Sequence, residues 1–358
     1  MKILLLGEFS SLHKYLKEGF QALGHDVTLA SSGDGWKKIG GADIVLPSAS
    51  GNFFQRLKAL IFDTWLISRK FKGYDVVQLI NPVIFSSRIN RMIFDFVKKN
   101  NRVVSLVAAG LDYALVKSYK DGRFDYYMFD EDKSMLNIFN ENTKRGVRLA
   151  SDCDYIEKNV DVIIPSLYEY TMCHNSTKVS HVIPFPINTD EIEYNENIVG
   201  EKVVIFHGLN SEKKKGTHFI REALERLQAN YPNEVEVIID GHMPFDKYLE
   251  VISRSNVVID QCLSYAYGIN ACISMAQGKV VMAGARKESL EAFGIDACPI
   301  IGITPSVDQI YSQLEYILEN KNLIPEMGKK SREYVETLHN YKIVAQQYID
   351  IYGKVQMV

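Results

Sequence analysis

The sequence predicts an α/β protein built from two Rossmann-like domains facing each other across a cleft. Three observations carry that prediction. Apolar runs of strand length alternate with helical patterns from the first residue, the signature of βαβ units and a parallel sheet. The alternation restarts after Pro184-Phe185-Pro186. A chain of 358 residues also has room for two cores at roughly 150 residues each.

Taken in order, Lys2–Leu6 reads as a buried strand closed by Gly7. Leu12, Tyr15, Leu16, Phe20 and Leu23 then recur at helical spacing, and Gly24 stands where a helix C-terminus belongs. Strands are expected at 26–30, 44–46, 75–79, 102–107 and 160–164, with helical stretches between them. Residues 187–200 are polar and acidic. A second series of strands follows at 202–206, 235–239, 257–260 and 279–282, with a helix from about Thr217 and helical sequence from Gln309 onward. These patterns set an N-terminal domain at 1–187, a second Rossmann-like domain at 188–338, and a last helix at 339–358 that returns to the first domain.

Composition narrows the class. Apolar residues are 46% and charged residues 24%, which excludes collagen-like, disordered and disulfide-scaffold chains. No apolar run reaches the length needed to cross a bilayer, and Met1–Glu8 lacks the features of a signal peptide. Five scattered cysteines with no C-x-x-C pair point to a reducing, cytoplasmic compartment and away from structural zinc. The net charge of −3 argues against a nucleic-acid partner. Charge is nonetheless uneven: residues 1–185 carry +4 and residues 186–358 carry −7, while 51–105 alone carry +7.

Candidate sites lie where strands end, because ligands of parallel α/β sheets bind outside the carboxyl ends of the strands. Gly7-Glu8-Phe9-Ser10-Ser11 is such a loop, although it lacks the further glycines of a dinucleotide fingerprint. In Phe206-His207-Gly208 through Lys213-Lys214-Lys215-Gly216-Thr217, a strand end, a basic cluster and a helix start coincide. This is either a phosphate grip or a solvated lysine run. In Asp260 through Val281, a helix beginning near Ile269 presents its N–H groups to the same cleft, where they can hold part of a diphosphate.

This last segment resembles the donor-binding region of GT-B glycosyltransferases of the large family-4 type, whose pattern is E-G-F-G-x-x-x-x-E-A-M-A-x-G-K-P-V. Tyr267-Gly268 lies on its F-G, and Met275-Ala276-x-Gly278-Lys279 lies on its M-A-x-G-K. His207-Gly208 through Lys215-Gly216-Thr217 is similar to the family's phosphate-gripping segment. Ile183-Pro184 through Asn188-Thr189-Asp190 resembles its interdomain linker, and Gly328-x-x-x-Arg332-x-Tyr334-Val335-Glu336 with His339 resembles its C-terminal helices. The likeness covers about 183–355, and over 1–182 it is one of topology only. It implies a nucleotide-sugar donor held by Gly7, Glu8, His207, Gly208, Lys214, Lys215, Met243, Tyr265, Tyr267, Gly268, Ile269, Asn270 and Ile273. It also implies retaining transfer, to a saccharide or lipid-linked acceptor, in bacterial surface polysaccharide assembly at the inner face of the membrane.

The departures are specific. The family's Glu-x7-Glu pair, which contacts the donor sugar and the ribose, falls on Tyr265 and Ile273. Tyr265 then either bonds the sugar or packs, and Asn270 or Ser274 takes over the nucleotide. Asp112, after the strand ending at Ala108-Ala109, is the nearest cleft-facing acid and with Lys215 a candidate for catalysis; its bland alternative is a helix cap. The pairs Asp130-x-Asp132 and Asp152-x-Asp154 match the metal-binding D-x-D of a GT-A enzyme, but such short acidic pairs arise by chance and the two-cycle architecture opposes that fold; the histidines show no metal-ligand spacing, so no metal or cofactor is expected. Residues 53–72 mix Phe53, Phe54, Leu57, Leu60, Ile61, Trp65 and Ile67 with Arg56, Lys58, Arg69, Lys70 and Lys72. That is either a helix lying on an anionic membrane or a packed helix with a basic edge. Two rivals to a transferase stay open: a catalytically degenerate nucleotide-sugar-binding homologue, and a GT-B-fold nucleotide-sugar epimerase.

Overall fold

The computed structural model describes residues 1–47, 52–209, 212–241, 243 and 245–356. It divides into two compact units. Unit 1 comprises Met1–Arg123, Ser134–Pro186 and Tyr341–Val358; unit 2 comprises Phe124–Lys133 and Ile187–Asn340.

Unit 1 holds a six-stranded parallel sheet of β1 (Lys2–Leu6), β2 (Asp26–Ser31), β3 (Ile44–Val45), β4 (Val76–Leu79), β5 (Val103–Ala108) and β6 (Val162–Pro165). The strand order is β3-β2-β1-β4-β5-β6. Ile3 pairs with Val27 on one side and Val76 on the other. β4, β5 and the Ile3–Leu6 part of β1 are unbroken buried runs, as expected of parallel strands covered on both faces. The chain's last helix, Tyr341–Gln356, packs on the helix Leu12–Ala22. A Cβ on Gly19 would stand 2.3 Å from the Tyr341 carbonyl oxygen, so only glycine permits that approach. The same helix reaches the centre of the sheet. The hydroxyls of Tyr352 and Ser105 donate to Gln78 Oε1, Gln78 Nε2 donates to His13 Nε2 at 3.1 Å, and His13 Nδ1 donates to the Gly7 carbonyl at 2.8 Å.

Unit 2 holds a five-stranded parallel sheet of β7 (Val203–Gly208), β8 (Val235–Asp240), β9 (Val257–Ile259), β10 (Val280–Ala283) and β11 (Ile301–Gly302), ordered β11-β10-β9-β7-β8. Its core includes Ile205, Ile220, Leu224, Val257, Met282 and Leu314. Two-residue β11 has no sequence period to announce it. The helix Ile269–Ala276 ends at Gly278, whose φ of +80° is the left-handed conformation of a helix stop. Strand order reverses between β1 and β4 in unit 1 and between β7 and β9 in unit 2. The carboxyl ends of those strands are where such sheets take ligands.

Candidate functional site

At the carboxyl edge of unit 2, β7 ends in His207-Gly208 and β9 leads into Asp260. His207 is buried; its Nδ1 donates to the Ile259 carbonyl at 2.8 Å, and its Nε2 accepts from Thr217 Oγ1 at 2.9 Å. Burial, reinforced by the Lys215 charge, lowers its pKa to about 4, so the ring is a neutral strut between two strands and a helix start. Lys215 Nζ lies 2.9 Å from Asp260 Oδ1, and both side chains are buried. Gly216, at φ +70°, makes the turn from Glu212–Lys215 into the helix Thr217–Asn230 possible. A Cβ there would stand 2.4 Å from Cys262 Sγ.

The helix Ile269–Ala276 starts beside this pair. Its N-cap is Gly268, which offers no side-chain acceptor for the first N–H groups, and a Cβ on Gly268 would lie 3.5 Å from Asp260 Oδ2. The Asp260 carboxylate thus sits between the helix start and the Lys215 ammonium. That is a favourable place for negative charge. Lys215 is therefore engaged by an internal carboxylate, which corrects the expectation of a free phosphate grip.

Further corrections concern the side chains facing inward. Tyr267 is fully buried, its hydroxyl 2.6 Å from that of Tyr334 and 2.9 Å from His339 Nε2. It anchors the C-terminal helices of unit 2 and is not exposed to a donor. Ile273 and Ser274 are buried, like every residue of their helix but Asn270, and the Ser274 hydroxyl donates to the Asn270 carbonyl at 2.9 Å. Ile269 is also buried. Tyr265 packs: it meets Phe124 and Tyr126, its hydroxyl accepts the Asp125 N–H at 2.6 Å, and the Arg286 guanidinium stands 4.1 Å over its ring. Arg286 also bonds Asp125 Oδ2 at 2.6 Å. Nothing in the periodicity of Phe124–Lys133 foretold that this short segment belongs to unit 2. Only its density of aromatic residues (Phe124, Tyr126, Tyr127, Phe129) hints at burial elsewhere. Gly208 is buried, whereas Lys214, Met243 and Asn270 are half-buried and remain at the edge.

In unit 1, Gly7 at φ +86° closes β1, and a Cβ there would lie 2.4 Å from Ile80 Cγ2. Glu8 is buried and accepts the N–H groups of His13 at 3.3 Å and Lys14 at 2.7 Å, at the start of the helix Leu12–Ala22. Burial raises its pKa to about 7. Ser10 and Ser11 both have positive φ, +52° and +70°, a strain of the kind loops at functional sites hold. Asp112 is wholly buried, and its Oδ1 accepts the Leu115 N–H at 2.8 Å. It caps the helix Tyr113–Lys120 and is not the cleft-facing acid expected. The first N–H groups of that helix need an acceptor, and Asp112 is placed to supply it.

The 53–72 stretch forms the helix Phe53–Leu57, a π-helical turn Lys58–Asp63 and the helix Thr64–Ser68. Phe53, Phe54, Phe62 and Leu66 are 71%, 78%, 55% and 55% exposed. Among the described residues, no helix is long and apolar enough to cross a membrane.

No protein-family model matches the sequence, and no curated protein matches it. Solved structures match over nearly its whole length. The chain is similar to sucrose-phosphate synthase from Thermosynechococcus elongatus, with a TM-score of 0.65, 14% identity and 99% of each chain covered. It is similar to Anabaena HepE in complex with UDP and glucose, with a TM-score of 0.63, 11% identity and 99% of each chain covered. UDP-GlcNAc 2-epimerase from Neisseria meningitidis, bound to UDP-GlcNAc, follows with a TM-score of 0.53 and 12% identity over 99% of this chain and 100% of that one. At such identities the likeness establishes the fold. The protein has the GT-B fold, two Rossmann-like α/β units each with a parallel sheet.

Proposed function

We propose that the protein is a glycosyltransferase that takes a nucleotide-sugar at the carboxyl edge of β7 and β9. One observation carries this reading: the His207–Lys215–Asp260 cluster and an uncapped helix start meet at the point where strand order reverses in unit 2. That HepE, of the same fold, has been solved with UDP and with UDP-glucose supports the class of ligand.

In this reading the diphosphate lies against Lys214 and the N–H groups following Gly268, where positive charge and a helix start favour an anion. Lys215 holds Asp260 in place, and Asp260 accepts a hydroxyl of the donor. Asn270 meets the ribose in place of the family's glutamate, and Gly208 and Met243 flank the nucleotide. Charge that develops on the leaving diphosphate is stabilised by these fixed donors, without a metal at the donor. The motif resemblance supports retaining transfer of a hexosyl group to a saccharide or lipid-linked acceptor on unit 1. It also supports a place in bacterial surface polysaccharide assembly on the inner face of the membrane, with residues 53–72 contacting anionic lipid.

A panel of nucleotide-sugars, with and without Mg²⁺, tests the proposal by binding and by product analysis. Saturable binding of one nucleoside diphosphate with slow donor hydrolysis or transfer supports it. Absence of binding across the panel overturns it. A second reading, nucleotide-sugar epimerisation, which needs no acceptor, is favoured by the likeness to the 2-epimerase. An isomerised donor in the same assay identifies it.

A further inference from the structure

Three ionisable side chains meet inside unit 1, outside every residue assigned above to the donor. Asp112 precedes the helix Tyr113–Lys120, Glu157 lies on the helix Lys144–Asn159, and His174 follows the helix Tyr168–Cys173. One ligand-type atom from each lies within 4.8 Å of the other two. The side chains of Asp112 and His174 are 0% and 1% exposed.

Each of the three has one atom already held. Asp112 Oδ1 accepts the Leu115 N–H at 2.8 Å, and Glu157 Oε2 faces His174 Nδ1 at 3.2 Å. Each also has one buried atom with no hydrogen-bond partner: Asp112 Oδ2, Glu157 Oε1 and His174 Nε2. Asp112 Oδ2 and His174 Nε2 stand 3.9 Å apart, too far for a hydrogen bond, so a proton on either does not join them. Two carboxylates and one imidazole leave negative charge in surplus, and buried charges in proteins are paired or bound to metal. Burial raises Asp112 to about 6, a sign that its ionised form lacks compensation. Burial opposes a charged His174, yet Glu157 and Asp112 outweigh it and hold its pKa up.

We propose that Asp112 Oδ2, His174 Nε2 and one carboxylate oxygen of Glu157, which leaves Nδ1 to reach the ion, bind one divalent first-row transition ion of the zinc class. The donor set of one imidazole and two carboxylates suits such an ion better than Ca²⁺ or Mg²⁺, which take oxygen. Two bonds of about 2 Å at a tetrahedral angle span about 3.3 Å; the 3.9 Å between Nε2 and Oδ2 closes by roughly half an ångström when the ion binds. The ion ties together three helix segments of unit 1, and its role is structural.

The test uses the full chain without a histidine tag, loaded with Zn²⁺ or Co²⁺ and dialysed. One retained equivalent, a raised Tm and a visible Co²⁺ absorption band are expected. Glu157→Gln should weaken binding at least about 10-fold, and His174→Gln should abolish stoichiometric retention. Retention well below one equivalent by the wild type overturns the proposal, as does wild-type affinity in both variants. If a variant does not fold, X-ray absorption of the zinc-loaded wild type decides. Nitrogen and oxygen neighbours at about 2.0–2.2 Å support this ligand set, and a sulfur neighbour overturns it.

Discussion

Lys215 Nζ and Asp260 Oδ1 lie 2.9 Å apart in the interior of unit 2, at the start of the helix Ile269–Ala276. The residue that the sequence offers for phosphate is occupied by a carboxylate of its own chain. The pair is a fixed part of the carboxyl edge, and its removal is felt in folding before binding.

Lys215→Ala strands a buried carboxylate and should lower stability by about 3–5 kcal/mol, the range for breaking a buried ion pair. Replacing both partners with apolar residues should recover much of that loss. Urea unfolding of the single and double variants measures both. A Lys215→Ala protein as stable as the wild type would show the pair to be energetically idle.

Ile273→Glu should impair the protein. Ile273 is buried, so the introduced carboxylate has no water and no assigned partner; a loss of about 3–5 kcal/mol is expected. Unfolding and nucleoside-diphosphate titration should show lower stability and no gain in affinity. Tighter nucleotide binding would instead restore the family's ribose contact at this position.

Glu8 gives a pH signature. Its folded pKa of about 7 stands above the ordinary 4.5 because burial disfavours the charged form. Its contribution to stability is complete below pH 4.5 and is lost as pH rises through 7, by about 3 kcal/mol in all. Buried His13, lowered to about 4 by burial, works in the opposite sense, losing stability as pH falls from 6.5 toward 4. Glu8→Gln should therefore gain about 3 kcal/mol on the wild type between pH 4 and pH 8, since His13 is common to both. Parallel stability curves for the two proteins would refute a protonated Glu8.

The exposed face of residues 53–68 should bind anionic lipid. Phe53, Phe54, Phe62 and Leu66 stand in solvent within a stretch, 51–105, that carries +7. Each basic residue near an anionic surface adds about 1 kcal/mol at moderate salt. Vesicle flotation should show binding to anionic but not neutral vesicles, reduced by replacing Phe53 and Phe54 together with serine. Equal recovery with both lipids at low salt would argue against it.

The two-domain α/β character was legible in the chain because parallel strands buried on both faces must be continuous apolar runs, as in Ile3–Leu6 and Val203–Phe206. Glycines were equally readable: Gly7, Gly24, Gly216 and Gly278 all have positive φ, a backbone conformation that glycine adopts freely because it has no Cβ. The edge of the sheet that takes ligands followed from the same alternation. Partners did not follow, because they come from residues far apart in sequence. Only the folded chain brings Asp260 to Lys215, Asp125 to Tyr265, and Tyr334 with His339 to Tyr267. Local pattern tells how a residue sits on its own helix or strand; which charge it meets is decided where separate elements pack and exclude water. For that reason the sequence leaves Asp112 open between a cleft-facing acid and a helix cap, and the fold makes it a buried cap facing His174.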